Sequence, residues 1–337
     1  MTALHDLPAQ DLLAAYRQRT LSPVEVTQAV LAHMERWEPH IRATYLLRPE
    51  HALAQARQSE ARWQRGEPQG LLDGVPVTIK ENIATQGDPT PLGTAAVPLV
   101  PAAADAPPAA RLREAGAVMV AKTTMPDYGM LSSGLSSFHP LSRNPWDVSK
   151  GPGGSSAGAG AAAAAGYGPL HIGTDIGGSL RLPASWCGIF SLKPSLGRIP
   201  IDPPYTGRAA GPMTRTVQDA ALMMQVLSQP DVRDSMSLPY QPIAWGEYDQ
   251  GVQRLRGLRL GLLLDAGCGL PVEAEVRAAV EHAARLFEQA GAQVSLMQPF
   301  MTQAMLDGMD HFWRMRSYTD LQALPEAQRA KVLPYIR

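Results

Sequence analysis

The chain has 337 residues, which is enough for one large core or for two domains. Its formal net charge is −1 and its pI is about 6.7, so no basic footprint for nucleic acid or for an anionic membrane is visible. The two cysteines, Cys187 and Cys268, predict no disulfide framework and suit a reducing compartment.

The N-terminus has no basic segment followed by an apolar one, so we expect no signal peptide. The longest apolar stretch, at 157–165, is too short to cross a bilayer and consists of small residues. It is better interpreted as a core helix that allows close packing. We therefore expect a cytoplasmic protein with no membrane partner.

The first part of the chain predicts helices followed by a strand. Three helices are expected before residue 66, at 8–19, 23–37 and 50–65. The second begins with a capping box, in which Ser22 is the N-cap and Glu25 is the third helical residue. Residues 75–79 favour a strand that delivers Lys80 at its end.

Helices and strands then alternate. Helices are expected at 108–115, at 156–166, from Leu180 onward, at 216–228 and at 271–290, and strands at 117–121, 169–173, 258–264 and 292–296. The apolar strand at 258–264 is predicted to be buried. The proline-rich segment 200–212 is predicted to be an ordered loop, 229–254 irregular surface chain, and 325–335 polar helical sequence. This alternation argues for an α/β fold with a mostly parallel or mixed sheet.

The most informative segment is 151–181, which reads GPGGSSAGAGAAAAAGYGPLHIGTDIGGSLR. It contains two glycine-flanked serines, Ser155 and Ser179, and Lys80 stands upstream in the segment DGVPVTIKEN. A serine becomes a good nucleophile only when a base takes its proton. Because no histidine sits in a comparable glycine-rich setting, we predict that a lysine reaches Ser179 through a second serine.

The glycines before Ser179 let the backbone turn sharply and bring several N–H groups to one point, as an oxyanion hole requires. Each element also has an ordinary interpretation, since Gly-Gly-Ser is common in loops and a lysine after a strand is usually solvated. A phosphate-binding loop at 151–160 is disfavoured because no Gly-Lys-Ser/Thr follows. No metal or cofactor is expected, because the eight histidines show no HxxxH or Cys/His ligand spacing.

Nine short segments, in their order, resemble the amidase signature family, the serine hydrolases with a Ser–Ser–Lys triad. They are GVPVTIKEN (74–82), REAGA (113–117), AKTTM (121–125), RNPW (143–146), PGGSS (152–156), GTDIGGSLR (173–181), CG (187–188), LKP (192–194) and GPMTR (211–215). The similarity runs from about residue 5 to about residue 300. Ala157 is one small departure, because the family usually has glycine at this position.

The resemblance implies a reaction path through three side chains. Ser179 would be the nucleophile that carries the acyl-enzyme, and Ser155, next to a cis peptide bond, would bridge to the base. Lys80 would be the neutral general base, with its pKa lowered by burial. The oxyanion hole would consist of backbone N–H groups, those of Ile176, Gly177, Gly178 and Ser179.

Four further residues are implied in substrate binding or loop support. Ser156 would support the serine loop, and the main chain near Gly129 would face the acyl or amide group of the substrate. Asp175 and Arg181 flank the nucleophile loop and would brace it by a charge-assisted pair. The alternative for these two is an ordinary structural ion pair.

The implied fold has a central mixed, twisted sheet covered by helices on both faces, within a single domain over 1–337. N-terminal helices are expected over 1–65, a catalytic core over 66–228 and a further α/β segment over 255–337. Members of the family are generally longer, so we expect the C-terminal part of the fold to be missing. That part would complete the sheet and one wall of the substrate pocket.

This pattern allows three functions. The main prediction is a stand-alone amidase that cuts the C–N bond of a small amide, with no cofactor and no nucleic-acid partner. The alternative is a glutaminase subunit of a tRNA-dependent amidotransferase, although PPYTGR at 203–208 lacks the aromatic–serine stretch typical of such subunits. An inactive scaffold protein is disfavoured, because Lys80 and both serines are present. The choice of aryl, aliphatic or peptide amide or ester stays open, as does a homodimer.

Overall fold

A computed structural model describes residues 2–246 and 251–337 of the chain. Contacts between Cα atoms divide it into two compact units, of which one comprises the residues up to 245 together with 320–337 and the other comprises 246–319. The single-domain organisation stays a prediction. Within the segment predicted to be irregular, residues 247–250 lie outside the described residues.

A six-stranded mixed sheet forms the centre of the first unit. Its strands are β1 (Thr44–Leu47), β2 (Pro76–Lys80), β3 (Val118–Thr123), β4 (Leu170–Asp175), β5 (Phe190–Ser191) and β6 (Ala209–Thr214). Their spatial order is β1-β3-β2-β4-β6-β5. Strand β2 is parallel to β3 and β4, whereas the β1–β3, β4–β6 and β5–β6 pairs are antiparallel. The predicted mixed sheet is confirmed.

Helices cover this sheet. They are α1 (Ala9–Gln18), α2 (Pro23–Ile41), α3 (Pro49–Arg65), α4 (Pro107–Glu114), α5 (Ala157–Ala164), α6 (Arg181–Cys187) and α7 (Val217–Leu227). Every residue of β2, β4 and β6 is buried, so both faces of the central strands are covered. The predicted capping box forms at α2, where the Glu25 amide donates to Ser22 Oγ and the Ser22 amide donates to Glu25 Oε2.

Small residues position α5 in the core. Seven of its eight residues are buried, and all of them are alanine or glycine. A Cβ added at Gly158 would lie 2.5 Å from the backbone nitrogen of Thr124, so only glycine allows this approach of helix and loop. The predicted close-packed core helix is confirmed, and it holds the preceding serines against the edge of the sheet.

The second unit contains a small parallel sheet and its connecting helix. Its elements are α8 (Gly251–Arg254), β7 (Arg259–Leu262), α9 (Ala274–Gln289), β8 (Gln293–Leu296) and most of α10 (Gln303–Gln322). Strands β7 and β8 pair in parallel and α9 connects them. The helix α11 (Glu326–Arg329) belongs to the first unit.

Several sequence-based predictions differ from these elements. The strand predicted to be buried at 258–264 is shorter, and its residues alternate between exposed and half-buried, because a two-stranded sheet does not enclose both faces. Strand β6 begins inside the predicted loop 200–212, since pairing with β4 over six residues outweighs the loop signal of Pro212. The predicted helical sequence at 325–335 contains only the short α11. Strand β1 and helix α10 were not predicted.

None of the described helices combines the length and apolar character needed to cross a membrane.

Candidate active site

The site forms where two parallel strands end. Strands β2 and β4 are neighbours, and Lys80 and Asp175 are their last residues. Ser155 and Ser156 directly precede α5. Parallel strands carry their carboxyl ends at the same edge of a sheet, so Lys80, both serines and the glycine-rich loop after β4 meet there.

The amine of Lys80 is surrounded by hydroxyl groups. Its side chain is fully buried, and Nζ lies 2.8 Å from Ser155 Oγ, 3.0 Å from Ser156 Oγ and 3.1 Å from Thr174 Oγ1. The Gly154–Ser155 peptide bond is cis, the geometry that the family resemblance implies at this position. The structure therefore brings together Lys80 and Ser155, two of the three residues predicted to be catalytic.

Ser156 connects α5 to β4. Its hydroxyl donates to the Thr174 carbonyl oxygen at 3.1 Å and accepts from the Thr174 amide at 3.3 Å. Because its only hydroxyl proton is used in this way, Ser156 Oγ accepts the hydrogen bond from Lys80. Ser156 thus helps to hold the amine of Lys80 in place, and its role in supporting the serine loop stays a prediction.

Ser179 lies in the loop between β4 and α6 and is partly exposed. Its carbonyl oxygen accepts a hydrogen bond from the Ser156 amide at 3.2 Å, which joins the two serine-bearing loops. Within the described residues, the amides of Ile176, Gly177 and Ser179 make no hydrogen bond, so they are available to a ligand. The Gly178 amide, also predicted for the oxyanion hole, is already engaged, because it donates to Asp175 Oδ1 at 2.9 Å.

Asp175 organises the loop between β4 and α6, which contains Ser179. Its carboxylate accepts hydrogen bonds from the amides of Gly178 and Leu180 and a two-pronged contact from the Arg181 guanidinium, at 3.0 and 2.8 Å. Burial by itself would raise the pKa of Asp175, but these hydrogen bonds outweigh it and hold the pKa below its ordinary value. The predicted pair with Arg181 is therefore formed, as a brace for the loop.

Gly129 lies against Ser155. It ends a short 3₁₀ turn, Asp127–Gly129, and has a φ of +69°. A Cβ added there would lie 3.1 Å from Ser155 Oγ, so glycine leaves room beside this hydroxyl. Asp127 secures the turn by accepting hydrogen bonds from the Ser137 amide and hydroxyl, both at 2.7 Å.

Two residues of the site received no role from the sequence. Thr174 and Asn82 stand inside the quoted motifs, at or just beyond the ends of β4 and β2. Asn82 Nδ2 lies 3.1 Å from Thr174 Oγ1, whereas Asn82 Oδ1 is buried and has no hydrogen-bond partner within the described part of the chain. The sequence signal that could have identified Thr174 and Asn82 is the position of polar residues at the ends of buried strands.

No cluster of three or more histidine, cysteine or acidic residues that could hold a metal occurs in residues 2–246 and 251–337. Burial raises the pKa of Cys187 to about 12, so this thiol stays protonated at neutral pH. The expectation that the protein uses neither a metal nor a cofactor stays a prediction.

Comparison with known proteins identifies the family. The family model Amidase matches residues 25–324. One subunit of the glutamyl-tRNA(Gln) amidotransferase of Chloroflexus aggregans is 39% identical over 313 residues, which cover 90% of this chain and 63% of that protein. The chain thus spans less than two thirds of the length of this relative.

Solved structures agree with this comparison. A bacterial aryl acylamidase, described as an amidase signature enzyme, matches with a TM-score of 0.89 at 29% identity, over 99% of this chain and 72% of its own. The peptide amidase from Stenotrophomonas maltophilia matches with a TM-score of 0.78 at 30% identity, over 87% of this chain and 62% of its own. The family resemblance and the predicted fold class are confirmed: the chain belongs to the amidase signature family.

Proposed function

We propose that the protein hydrolyses the C–N bond of a carboxylic amide through an acyl-enzyme on Ser179. The observation that carries this proposal is the 2.8 Å contact between Nζ of the fully buried Lys80 and Oγ of the buried Ser155. A serine paired with a buried amine has a base within proton-transfer distance. The amides of Ile176, Gly177 and Ser179 would bind the oxyanion.

The hydrogen bonds of Ser156 support the direction of proton transfer. A neutral amine has two N–H donors and one lone pair. Ser156 has committed its own proton to the Thr174 carbonyl, so it takes one N–H of Lys80. The lone pair then suits the hydroxyl proton of Ser155, which in turn accepts the proton of Ser179 when that oxygen attacks the substrate carbonyl.

The reaction closes by the same path. Collapse of the tetrahedral intermediate breaks the C–N bond, and the leaving amine takes the proton back from Lys80 through Ser155. Water then attacks the acyl carbon and gives a proton to the same pair. Collapse of this second intermediate breaks the ester bond to Ser179 Oγ, which takes that proton back as the carboxylic acid leaves. Protons balance over the cycle, and Ser179 is regenerated.

The substrate class has two candidates. The first is a small aryl, aliphatic or peptide amide for a stand-alone amidase, which the names of the structural neighbours support. The second is glutamine, with the ammonia passed to a protein partner, which the curated relatives support better because they are named as subunits of a glutamyl-tRNA(Gln) amidotransferase. The segment 203–208 bears on this choice because Gly207 approaches the Ile176 side chain, next to the nucleophile loop.

The first experiment is the intact mass of the protein after exposure to a broad serine-hydrolase phosphonate, with peptide mapping of the adduct. We expect one adduct, on Ser179, in the wild type and in the surface variant Ser149→Ala, and none in Lys80→Ala. Ammonia release from glutamine would then be compared with hydrolysis of an acyl anilide. Folded wild-type protein without an adduct would contradict the proposed mechanism.

A further inference from the structure

Three polar groups form a chain that ends at the amine of Lys80. The Thr174 hydroxyl lies between Lys80 Nζ and the side-chain amide of Asn82, at 3.1 Å from each nitrogen. The other end of the Asn82 amide, Oδ1, is buried and has no hydrogen-bond partner among the described residues. Buried acceptors are normally satisfied, so this oxygen needs an explanation.

The Thr174 hydroxyl becomes a partner for this oxygen if the Asn82 side-chain amide is turned over. If Asn82 donates to Thr174, the Thr174 hydroxyl proton points to the lone pair of Lys80 or to nothing, and Asn82 Oδ1 stays unpaired. A half-turn of the amide exchanges its oxygen and nitrogen with almost no change in shape. Oδ1 then accepts the Thr174 proton, Thr174 Oγ1 is left as an acceptor for Lys80, and the amide nitrogen takes the buried position that Oδ1 held.

We propose that Asn82 is a positioning residue that accepts the hydroxyl proton of Thr174 and thereby reserves the lone pair of Lys80 for Ser155. The inference rests on the proposed function of Lys80 as the base. Ser156 and Thr174 then behave alike, because each sends its proton away from Lys80 and accepts one N–H of the amine. Without Asn82, the Thr174 hydroxyl is able to donate to the lone pair and competes with Ser155.

Asp202 and Arg208 line a small cavity together with Asn82 and Thr174, and the Arg208 guanidinium lies over the Tyr205 ring at 4.2 Å. Further charged and titratable groups on neighbouring elements have other partners. They are Glu81 with His139, Asp175 with Arg181, Lys122 with the Ile83 carbonyl, and His171 with the Thr78 hydroxyl. Burial lowers the pKa of His171 to about 3, so that ring is neutral at ordinary pH. A carboxylate placed at position 82 would therefore add a new charge to the hydroxyl chain that ends at Lys80.

The test measures the rate of phosphonate labelling of Ser179 as a function of pH in variants of the full chain. Asn82→Leu removes the acceptor, and we expect labelling at least about tenfold slower at every pH. Asn82→Asp keeps the acceptor but favours the ammonium form of Lys80. The labelling rate of Asn82→Asp should rise at a pH about one unit or more above that of the wild type. At high pH it should reach nearly the same plateau as the wild type. Gln86→Glu, an exposed charge change nearby, should leave the profile unchanged.

A double-mutant cycle tests whether Asn82 acts through Thr174. Thr174→Val should slow labelling about as much as Asn82→Leu, Thr174→Ser should restore it, and the double variant Asn82→Leu with Thr174→Val should be no slower than either single variant. Asn82→Asp that is as slow as Asn82→Leu at all pH values would overturn the inference, because the amide would then act as a donor. Additive losses in the cycle would overturn it as well.

These outcomes separate the inference from the proposed function. A wild type that is labelled on Ser179, together with an unshifted Asn82→Asp profile, overturns the role of Asn82 alone. A folded wild type that is not labelled overturns both. Should Asn82→Leu fail to give a cooperative melt, the isosteric Asn82→Asp and the Thr174→Ser and Thr174→Val pair still decide the question.

Discussion

Lys80 shows how a buried lysine is accommodated by neutral groups. Its amine contacts the hydroxyls of Ser155, Ser156 and Thr174. A hydroxyl can accept a proton from an amine or donate one to it, whereas a carboxylate would stabilise only the ammonium form. The hydroxyl shell is therefore compatible with a lysine that alternates between its two protonation states during a reaction.

The proposed triad predicts a specific pattern of losses. We expect Ser179→Ala to abolish turnover, Lys80→Ala to lower kcat/KM by at least about 10³-fold, and Ser155→Ala to cause an intermediate to large loss. Because the residues act as a unit, the double variant Lys80→Ala with Ser155→Ala should be little worse than Lys80→Ala. Kinetics on any amide that the wild type accepts would check this, and additive losses would refute a shared proton path.

Asp175 is expected to make stability depend on pH. Its pKa is lower in the folded protein than the ordinary 3.8, so the unfolded chain binds more protons around that pH. The stabilisation is present above about pH 4 and is lost as the pH falls through the lower folded value. Urea denaturation should therefore show the difference between wild type and Asp175→Asn shrinking as the pH falls from about 5 to about 3.

A second substitution separates the carboxylate from its ion pair. Arg181→Leu should cost less stability than Asp175→Asn, because the Arg181 side chain is 55% exposed whereas the Asp175 carboxylate is fully buried and also holds two loop amides. Equal losses in the two variants would indicate that the arginine contact, and not the loop amides, accounts for the role of Asp175.

Helix α5 tests whether close backbone approach matters more than helix propensity. Alanine is the better helix former by about 1 kcal/mol, so propensity alone predicts that Gly158→Ala stabilises the protein. The added Cβ would, however, meet the Thr124 backbone at 2.5 Å, and backbone atoms cannot step aside as a flexible side chain can. We expect a net destabilisation of about 1–3 kcal/mol in chemical denaturation.

The matched control is Gly151, seven residues earlier in the same glycine-rich segment. An added Cβ at Gly151 would meet nothing within 4 Å, so Gly151→Ala should leave stability unchanged or slightly raised. A stabilising Gly158→Ala would show that the loop around Thr124 moves readily and that α5 does not depend on this contact.

At the level of the elements, the strands that carry the site could be predicted from the sequence, whereas strands β6 and β1 could not. Strands β2 and β3 contain short apolar runs, a pattern typical of strands buried on both faces, whereas β4 reads LHIGTD and has apolar side chains only at Leu170 and Ile172. Strand β6 was missed because Gly211 and Pro212 are usual loop formers, and its pairing with β4 is a long-range effect. Strand β1 has only four residues at the edge of the sheet, too few for a periodic signal.

The last residues of the chain pack onto the turn beside the site. Leu321, Val332 and Ile336 form a small apolar cluster with Ala96, and partly buried Tyr128, Met130 and Leu131 pack against it. The Leu333 amide donates to Asp127 Oδ2 at 3.1 Å. Because Asp127 begins the turn that ends at Gly129, the C-terminal residues support the segment next to Ser155.

We expect Val332→Ala to lower the free energy of unfolding by about 2 kcal/mol, because the side chain is 1% exposed. Labelling of Ser179 should also slow, since the Gly129 turn would lose part of its support. Tyr335→Ala, at a side chain that is 78% exposed, is the control and should change neither quantity. Unchanged labelling in a destabilised Val332→Ala would show that the cluster stabilises the fold without affecting the site.

The sequence by itself was sufficient to predict the family, the mixed α/β class and the catalytic candidates. Glycine–serine loops and a lysine after an apolar strand are local patterns, and their chemistry follows from residue type and order. Only the tertiary structure decided which groups surround the amine of Lys80. The contacts of Lys80 with Thr174 and of Thr174 with Asn82 depend on strand pairing and join residues up to 94 positions apart in the chain. Local patterns do not encode such distances.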